Sequence, residues 1–158
     1  MAKVSIKIEG IEALKKKLME KKQAVDNVLK TALPELGEKA VTYSKENKGY
    51  QDQTANLKNS ISLAVFFDGK LINTTIGKIP EPDKVKGGQA QVQSALEEYA
   101  SKPGVVAPKG YTIIVVAGMV YGKYVEDKGY NVLYLTKYYL RNGIKDIYQM
   151  VFDLLKEK

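Results

Sequence analysis

The stretch that decides the fold is residues 61–76, which read Ile-Ser-Leu-Ala-Val-Phe-Phe-Asp-Gly-Lys-Leu-Ile-Asn-Thr-Thr-Ile. Apolar residues alternate through 61–67, which is the pattern of a strand with one buried face. Asp68-Gly69 is a strong signal for a two-residue hairpin turn, provided that both residues take positive φ. The return strand is predicted over 71–76. This hairpin makes a mainly antiparallel sheet the starting point of the fold.

Two further segments are predicted to be strands. Residues 111–117 (Tyr-Thr-Ile-Ile-Val-Val-Ala) are rich in β-branched side chains and almost wholly apolar. We therefore expect this strand to be central in the sheet. Residues 3–9 alternate between apolar and polar side chains, and the polar set includes Lys3 and Lys7. That pattern predicts a half-buried strand near a sheet edge.

Helical periodicity dominates both ends of the chain. Apolar residues recur at helical spacing over 11–47, and Pro34 either kinks one long helix or opens a second helix as its first residue. A last helix is predicted over 136–156. Gly143 lies inside it at a cost of roughly 1 kcal/mol relative to Ala, which the packing of that helix must offset.

A long connection, residues 78–110, separates two of the predicted strands and holds four of the five prolines. A short amphipathic helix is predicted inside it at 89–99. Connections of this length are usually functional or disordered. We expect one α+β domain over 1–158. It has a small, mainly antiparallel sheet packed against a long N-terminal helix and a C-terminal helix, with 78–110 as one long inserted loop.

The composition argues against catalysis. The chain of 158 residues contains no Cys, His or Trp, which removes thiol nucleophiles, Ser-His and Cys-His pairs and the usual zinc sites. Residues 118–124 have two glycines separated by three residues, whereas a phosphate-binding loop has four between them. We expect no enzymatic activity, no cofactor and no metal site. The longest mostly apolar run is 11 residues, so no membrane span is expected either.

The charge balance leaves a second function open. The net charge is +7, and Arg141 is the single arginine among 25 basic residues. A lysine excess produces diffuse attraction to polyanions, or belongs simply to solvated helix faces. Dedicated readers of phosphates and bases favour the planar fork of arginine. A lysine-rich nucleic-acid-binding module is therefore the alternative function, and otherwise at most weak, non-specific contact with DNA is expected.

Tyrosine is concentrated in one region. Seven of the eleven tyrosines fall between residues 121 and 148, more than a small core can bury with satisfied hydroxyls. Tyrosine is favoured at protein interfaces because it combines apolar area with a polar tip. Stacking of single-stranded nucleic acid is the rival interpretation, since lysines interleave with the tyrosines. Glu126 and Asp127 lie in the middle of the cluster and favour contact with protein.

Three segments, taken in order, resemble a known family. Residues 53–61 (Gln-Thr-Ala-Asn-Leu-Lys-Asn-Ser-Ile) are similar to its pattern Thr-Gly-x-Leu-x-x-Ser-Ile. Residues 121–126 (Tyr-Gly-Lys-Tyr-Val-Glu), followed by Gly129, are similar to Tyr-Ala-x-Tyr-Val-Glu-x-Gly, and residues 139–144 (Tyr-Leu-Arg-Asn-Gly-Ile) to Phe-Leu-Arg-Pro-Ala-Leu. The family is the tail-component proteins of long-tailed bacteriophages and prophages, small neck or tail-completion proteins of the head–tail junction. The residues that depart from its Gly, Ala and Pro are Ala55, Gly122 and Asn142.

The resemblance implies a non-catalytic structural protein of the virion, at the neck or the tail top, that forms an oligomeric ring needed for tail completion or head–tail joining. It suggests six-fold symmetry. The implied partners are further copies of the chain and neighbouring phage head-neck or tail proteins, contacted through the 78–110 loop and the 121–139 region. The implied location is the virion, and the bacterial host cytoplasm during assembly. The motif or interface residues that it implies are Thr54, Asn56, Leu57, Ser60, Tyr121, Tyr124, Val125, Glu126, Tyr139, Leu140 and Arg141.

Two of these residues invite local predictions. Thr54 is expected to cap a short helical turn through residues 56–59. Glu126 has two interpretations. It is either buried among tyrosine hydroxyls, where charge-assisted hydrogen bonds would orient its segment, or an exposed acid at the start of a helix.

Overall fold

The computed structural model describes residues 9–51, 53–79 and 88–156. The edge strand expected at 3–9 lies almost wholly outside these residues. The fold is α+β, as predicted, with a long N-terminal helix, an antiparallel sheet and a C-terminal helix. The elements in chain order are α1 (Ile11–Glu46), α2 (Asn56–Asn59), β1 (Ile61–Phe67), β2 (Lys70–Thr75), α3 (Gly88–Ala100), β3 (Tyr111–Ala117), α4 (Gly122–Asp127) and α5 (Tyr134–Lys156).

The predicted hairpin is confirmed. β1 and β2 pair antiparallel across Asp68 and Gly69, whose φ values are 48° and 77°. Positive φ at both turn residues gives the backbone twist that matches the two strands. The register shifts between Val65 and Phe66, so that Ile72 has no partner on β1. This bulge lies in the outer part of the hairpin.

Among the described strands, residues 111–117 do not take the central position that was expected of them. Within the described residues the strand order is β2-β1-β3, so β1 is central and β3 lies at an edge. β3 is mostly apolar because both of its faces are partly covered. Ile113 and Val115 pack on the side of α1, whereas Ile114 and Val116 pack on the side of α3. Burial on two faces produces the same continuous apolar run as a central position does.

One face of the sheet is covered by α1 and α5, which pack against each other. α1 is a single helix with Pro34 inside it, so a second helix does not begin at Pro34. α5 contains Gly143, at which a Cβ atom would collide with the side chain of Leu36. At this close approach of the two helices, a methyl group fits only if the side chain of Leu36 shifts. This close packing explains why α5 contains Gly143, although glycine has a low helix propensity and by itself would weaken the helix.

The C-terminus of α5 is bonded to α1, whereas the first turns of α1 are exposed. The Nζ atom of Lys21 donates hydrogen bonds to the carbonyl oxygens of Leu154 and Leu155, at 3.1 and 3.5 Å, at the C-terminus of α5. Residues 11–20 precede this contact, and all of them are exposed. The first turns of α1 thus extend beyond the packed body of the protein.

The other face of the sheet is covered by α3, the short helix that was predicted at 89–99. Its Val92 and Leu96 are buried, and Leu96 packs against Ala64 and Ile114 of the sheet. The described part of the 78–110 connection therefore contributes to the hydrophobic core. It arranges the domain as three layers: two helices, a sheet and one helix.

Candidate functional site

The first two segments of the resemblance meet in space. Leu57 of α2 and Val125 of α4 belong to one hydrophobic cluster, in which Leu57 is buried. Gly122 lies directly against them, since a Cβ atom there would be 3.0 Å from Cδ1 of Leu57. The side chain of an alanine, which the family pattern has at this position, would press on Leu57. The two segments thus form a single packed unit at one end of the sheet.

The segment around α2 is held by its own backbone and serine hydroxyls. Its N-cap is Ala55, in the left-handed conformation with φ 57°, and no side chain caps the helix there. The Oγ1 atom of Thr54 accepts from the N–H of Asn56 at 3.5 Å, so the predicted cap is present only as a long contact. Ser60 is buried, and its hydroxyl donates to the carbonyl of Leu57 at 2.7 Å. These contacts deliver the chain into β1.

Glu126 accepts hydrogen bonds from three consecutive backbone N–H groups. Its carboxylate receives the N–H of Val132 at 3.1 Å, of Leu133 at 2.7 Å and of Tyr134 at 3.0 Å. These are amides at the N-terminus of α5, where a negative charge is favoured. Neither interpretation made from sequence is correct. The partners are backbone amides, not tyrosine hydroxyls, and the half-buried carboxylate is not a solvated acid.

The third segment lies on α5 and does not join the other two. Tyr139 stacks on Tyr43 of α1, with ring centroids 4.5 Å apart. Leu140 packs with the cluster that holds α1 against α5. Arg141 is exposed, with its guanidinium carbon 6.0 Å from the ring centroid of Tyr138. Tyr139 and Leu140 thus support the helix pair, and Arg141 alone of the three faces outward.

Most of the clustered tyrosines are on the surface. Six of the seven between residues 121 and 148 are exposed, by 41% to 67%, and Tyr139 alone is partly buried. Five of the six belong to residues 120–138, together with Val120, which is 81% exposed, and Leu135. We call this group the tyrosine surface. It comprises Val120, Tyr121, Tyr124, Tyr130, Tyr134, Leu135 and Tyr138.

Two rings of the tyrosine surface contact each other, and a third contacts a lysine. The hydroxyls of Tyr134 and Tyr138 are 3.1 Å apart, and their rings meet edge to face with centroids 5.3 Å apart. This hydrogen bond raises the pKa of Tyr134. The ammonium of Lys128 lies 5.2 Å from the ring centroid of Tyr124. These contacts fix the positions of three rings relative to their neighbours. All three remain exposed to solvent in the single chain.

The described residues contain no cluster of metal-ligating side chains. Over 9–51, 53–79 and 88–156, no three acidic side chains come together in a way that could hold a metal ion. The same ranges contain no helix long and apolar enough to cross a membrane.

Comparison of the chain with protein-family models, with curated proteins and with solved structures gave no match in any of the three. The residues and their geometry therefore carry the functional proposal.

Sequence reasoning missed the role of Glu126 and the packing of the first two segments on each other. Glu126 precedes α5 by eight residues, so no capping pattern with its usual short spacing could identify it. The contact between Leu57 and Val125 joins residues far apart in the chain. The alternation of apolar residues, which reports only on neighbours, does not encode it.

Proposed function

We propose that this chain is a non-catalytic structural protein of a bacteriophage or prophage virion. In this proposal it forms an oligomeric ring at the neck or tail top that is needed for tail completion or head–tail joining. The tyrosine surface is the observation that carries the proposal. Exposed tyrosines and aliphatic residues concentrated on one stretch, 120–138, are typical of a surface that another protein covers.

The conformation of Ala55 supports the resemblance on which the proposal draws. The family pattern has Gly at this position, and here the backbone has φ 57°, a region that glycine enters at no cost and alanine enters with strain. An observation about backbone angles thus agrees with a pattern that was stated from sequence. The agreement supports a shared local structure between residues 54 and 61.

In this proposal, the tyrosine surface of one subunit contacts a different face of the next subunit. The surface lies at one end of α5, and the exposed first turns of α1 lie at the other. A contact between two different faces of identical subunits is heterologous, and it closes into a ring when the rotation permits. Six-fold symmetry is what the resemblance suggests. The virion would be the final location, after assembly in the cytoplasm of a bacterial host.

Assembly of the purified protein tests the proposal. Tyr124→Ala combined with Tyr134→Ala removes two exposed rings without touching the core. Leu71→Ala combined with Ile72→Ala is the matched control, since both side chains are exposed on β2, at the opposite edge of the described sheet from β3. We expect the tyrosine double variant to lose rings in light scattering and negative-stain images while the control keeps them. Rings that survive in the double variant would refute the assignment of the tyrosine surface.

Deletion of the gene from the encoding phage or prophage tests the virion role. We expect filled heads beside separate tails, or tails of the wrong length. Intact infectious particles would overturn the proposal.

A nucleic-acid-binding module is the second candidate, and the exposed start of α1 is the observation that favours it. Lys16, Lys17 and Lys22 are exposed there, and none of them has an ion pair within the described ranges. This function predicts submicromolar affinity for DNA that falls steeply with salt. A ring subunit needs only weak affinity. Fluorescence anisotropy with a labelled duplex at several salt concentrations distinguishes the two.

A further inference from the structure

The outer edge of β3 is unoccupied by any described strand. β3 pairs with β1 on one side, and no strand within 9–51, 53–79 and 88–156 pairs with its other side. In an antiparallel ladder, the N–H and C=O groups of alternate residues point away from the partner strand. Such an edge is a template for a further strand.

A groove runs along this edge. Its floor is residues 112–115 of β3, and its volume is about 830 Å³. Leu140 and Ile144 of α5 form one wall, and Tyr99 and Val105 form the other. The groove therefore combines a backbone template with apolar walls on both sides. This combination is suited to an extended polypeptide segment whose side chains contact one wall and the other in alternation.

The rim of the groove on α5 is positively charged. Lys137, Arg141 and Lys145 line it, all three are exposed, and no acidic residue is found among its described lining residues. None of the three has an ion pair in the part of the chain that the structure describes. A ligand that carries negative charge would complement this rim.

The spacing of the cations matches an extended chain. Residues four apart on a helix are separated by about 6 Å along its axis. Side chains two apart on a strand are separated by about 6.6 Å. α5 runs alongside β3, since Leu133 packs near Val115 and Ile144 packs near Tyr111. Acidic residues at every second position of an added strand would thus each face one cation.

A buried hydroxyl beside the groove has no partner among the described residues. Thr136 lines the groove and is 2% exposed, and its Oγ1 atom makes no hydrogen bond within 9–51, 53–79 and 88–156. An unsatisfied buried hydroxyl costs free energy, which a ligand with a donor or acceptor in reach would recover. This observation is independent of the charge on the rim. The two features lie on the same stretch of α5.

We infer that the groove binds an extended segment of a partner protein as a strand added to β3, with acidic residues at alternate positions facing α5 and apolar residues facing Tyr99 and Val105. The inference deepens the proposed function and rests on it only in taking the partner to be a neighbouring structural protein. The residues 3–9 of the chain itself fit less well, because Lys3 and Lys7 outnumber Glu9. Nucleic acid would use the cations and leave the edge and the apolar walls unused.

The test uses the full chain and a fluorescein-labelled peptide of eight residues that alternates Glu with Val or Ile. Anisotropy should report saturable binding. The same peptide with Lys in place of Glu should bind at least about tenfold more weakly, since it loses three ion pairs and gains repulsion. A peptide N-methylated at alternate residues keeps its charge and loses strand pairing, and its affinity should fall comparably.

Variants of the protein assign the peptide to the groove. The triple charge reversal Lys137→Glu, Arg141→Glu and Lys145→Glu should weaken binding at least about tenfold. The matched control reverses three exposed lysines of α1 and has the same net charge: Lys16→Glu, Lys17→Glu and Lys22→Glu. It should change binding less than about twofold, because these residues do not line the groove. Thr136→Val should weaken binding a few-fold while circular dichroism and the melting profile show an intact fold.

Four results would overturn the inference. They are equal effects of the two triple variants, indifference to N-methylation, tighter binding of an eight-nucleotide oligothymidine than of the peptide, and peptide binding only after residues 1–8 are deleted. The last would assign the groove to the chain's own N-terminal segment. Peptide binding to the purified protein is measured without reference to virions. Failure of the gene deletion to impair tails would therefore overturn the proposed function and leave this measurement standing.

Discussion

The Oε2 atom of Glu126 accepts a hydrogen bond of 2.7 Å from the backbone N–H of Leu133, seven residues further along the chain. With its bonds to the N–H groups of Val132 and Tyr134, this contact joins the end of α4 to the start of α5. The loop between the two helices carries Tyr130, α4 carries Tyr124, and α5 carries Tyr134 and Tyr138. One carboxylate therefore orients the surface that we propose to be an interface.

Replacement of this carboxylate should destabilise the protein. Glu126→Ala removes the acceptor of three helix N-terminal amides and should cost about 2 kcal/mol of unfolding free energy, at the upper end of measured capping effects. Glu126→Gln keeps one acceptor oxygen and should cost about 1 kcal/mol. Urea unfolding monitored by circular dichroism measures both. The exposed neighbour provides the control, and Asp127→Ala should change stability by less than about 0.5 kcal/mol. Equal effects at the two positions would contradict the capping role.

Replacement of Ala55 by glycine should stabilise the protein. Its φ of 57° strains an alanine by about 1 kcal/mol, and Ala55→Gly should therefore raise the unfolding free energy by up to that amount. The same exchange inside α1, Ala24→Gly, should lower it by about 1 kcal/mol, since alanine is the better helix former. Thermal unfolding of the two variants and of the parent protein shows whether each exchange raises or lowers the stability. A loss of stability in both would show that residue 55 does not adopt the left-handed conformation in solution.

Gly143 should resist the substitution that helix propensity favours. Gly143→Ala gains about 1 kcal/mol of propensity but places a methyl group on Leu36, and overpacking of this kind costs about 1–3 kcal/mol. We expect a net loss in urea unfolding. Asn142→Ala, at an exposed position next to it, should be neutral or slightly stabilising. Combining Gly143→Ala with Leu36→Ala should cost less than the sum of the two, because the second change opens space for the first.

The free energy of unfolding should fall at alkaline pH as the hydroxyl of Tyr111 loses its proton. Burial raises the pKa of its hydroxyl, and the charges of Asp26 and Asp68 raise it further. The folded state thus holds this proton more tightly than the unfolded chain does. Its contribution is present below about pH 10, the ordinary pKa of tyrosine, and is lost as the pH rises through the raised value.

Tyr111→Phe should therefore flatten the decline of unfolding free energy between about pH 9 and pH 11. The exposed Tyr148 serves as the control, and Tyr148→Phe should leave the slope unchanged. An identical slope in the parent protein and in Tyr111→Phe would exclude this hydroxyl as the source.

The parts of the fold that depend on neighbouring residues could be predicted from sequence. Asp68-Gly69 between two alternating runs is enough to predict the hairpin, because the turn geometry requires only those two residues. The apolar period of α5 predicts its buried face, which includes Ile147. The apolar run of β3 predicts a central strand, whereas β3 lies at the edge of the described sheet. Such a run reports only that two faces are buried, which is true both at a centre and at an edge covered by helices.

The candidate site was predictable in its composition and not in its arrangement. A count of tyrosines indicates that some must be exposed, since a small core cannot satisfy so many hydroxyls. The assignment of Glu126 to backbone amides depends on the turn through Gly129, where φ is 83°, and no local pattern encodes it. The groove beside β3 depends on the relative positions of three elements, which alternation and helical period do not describe.

Both ends of α5 are neutralised by side chains from other elements, Glu126 at the first turn and Lys21 at the last. Each charge has the sign that opposes the helix dipole at its end. An isolated helix loses its terminal turns first. Here, however, the melting of either end would leave a charged side chain of another helix without its backbone hydrogen-bond partners. Amide hydrogen exchange should therefore find the terminal turns of α5 protected nearly as well as its middle, with α1, α4 and α5 opening as one cooperative unit.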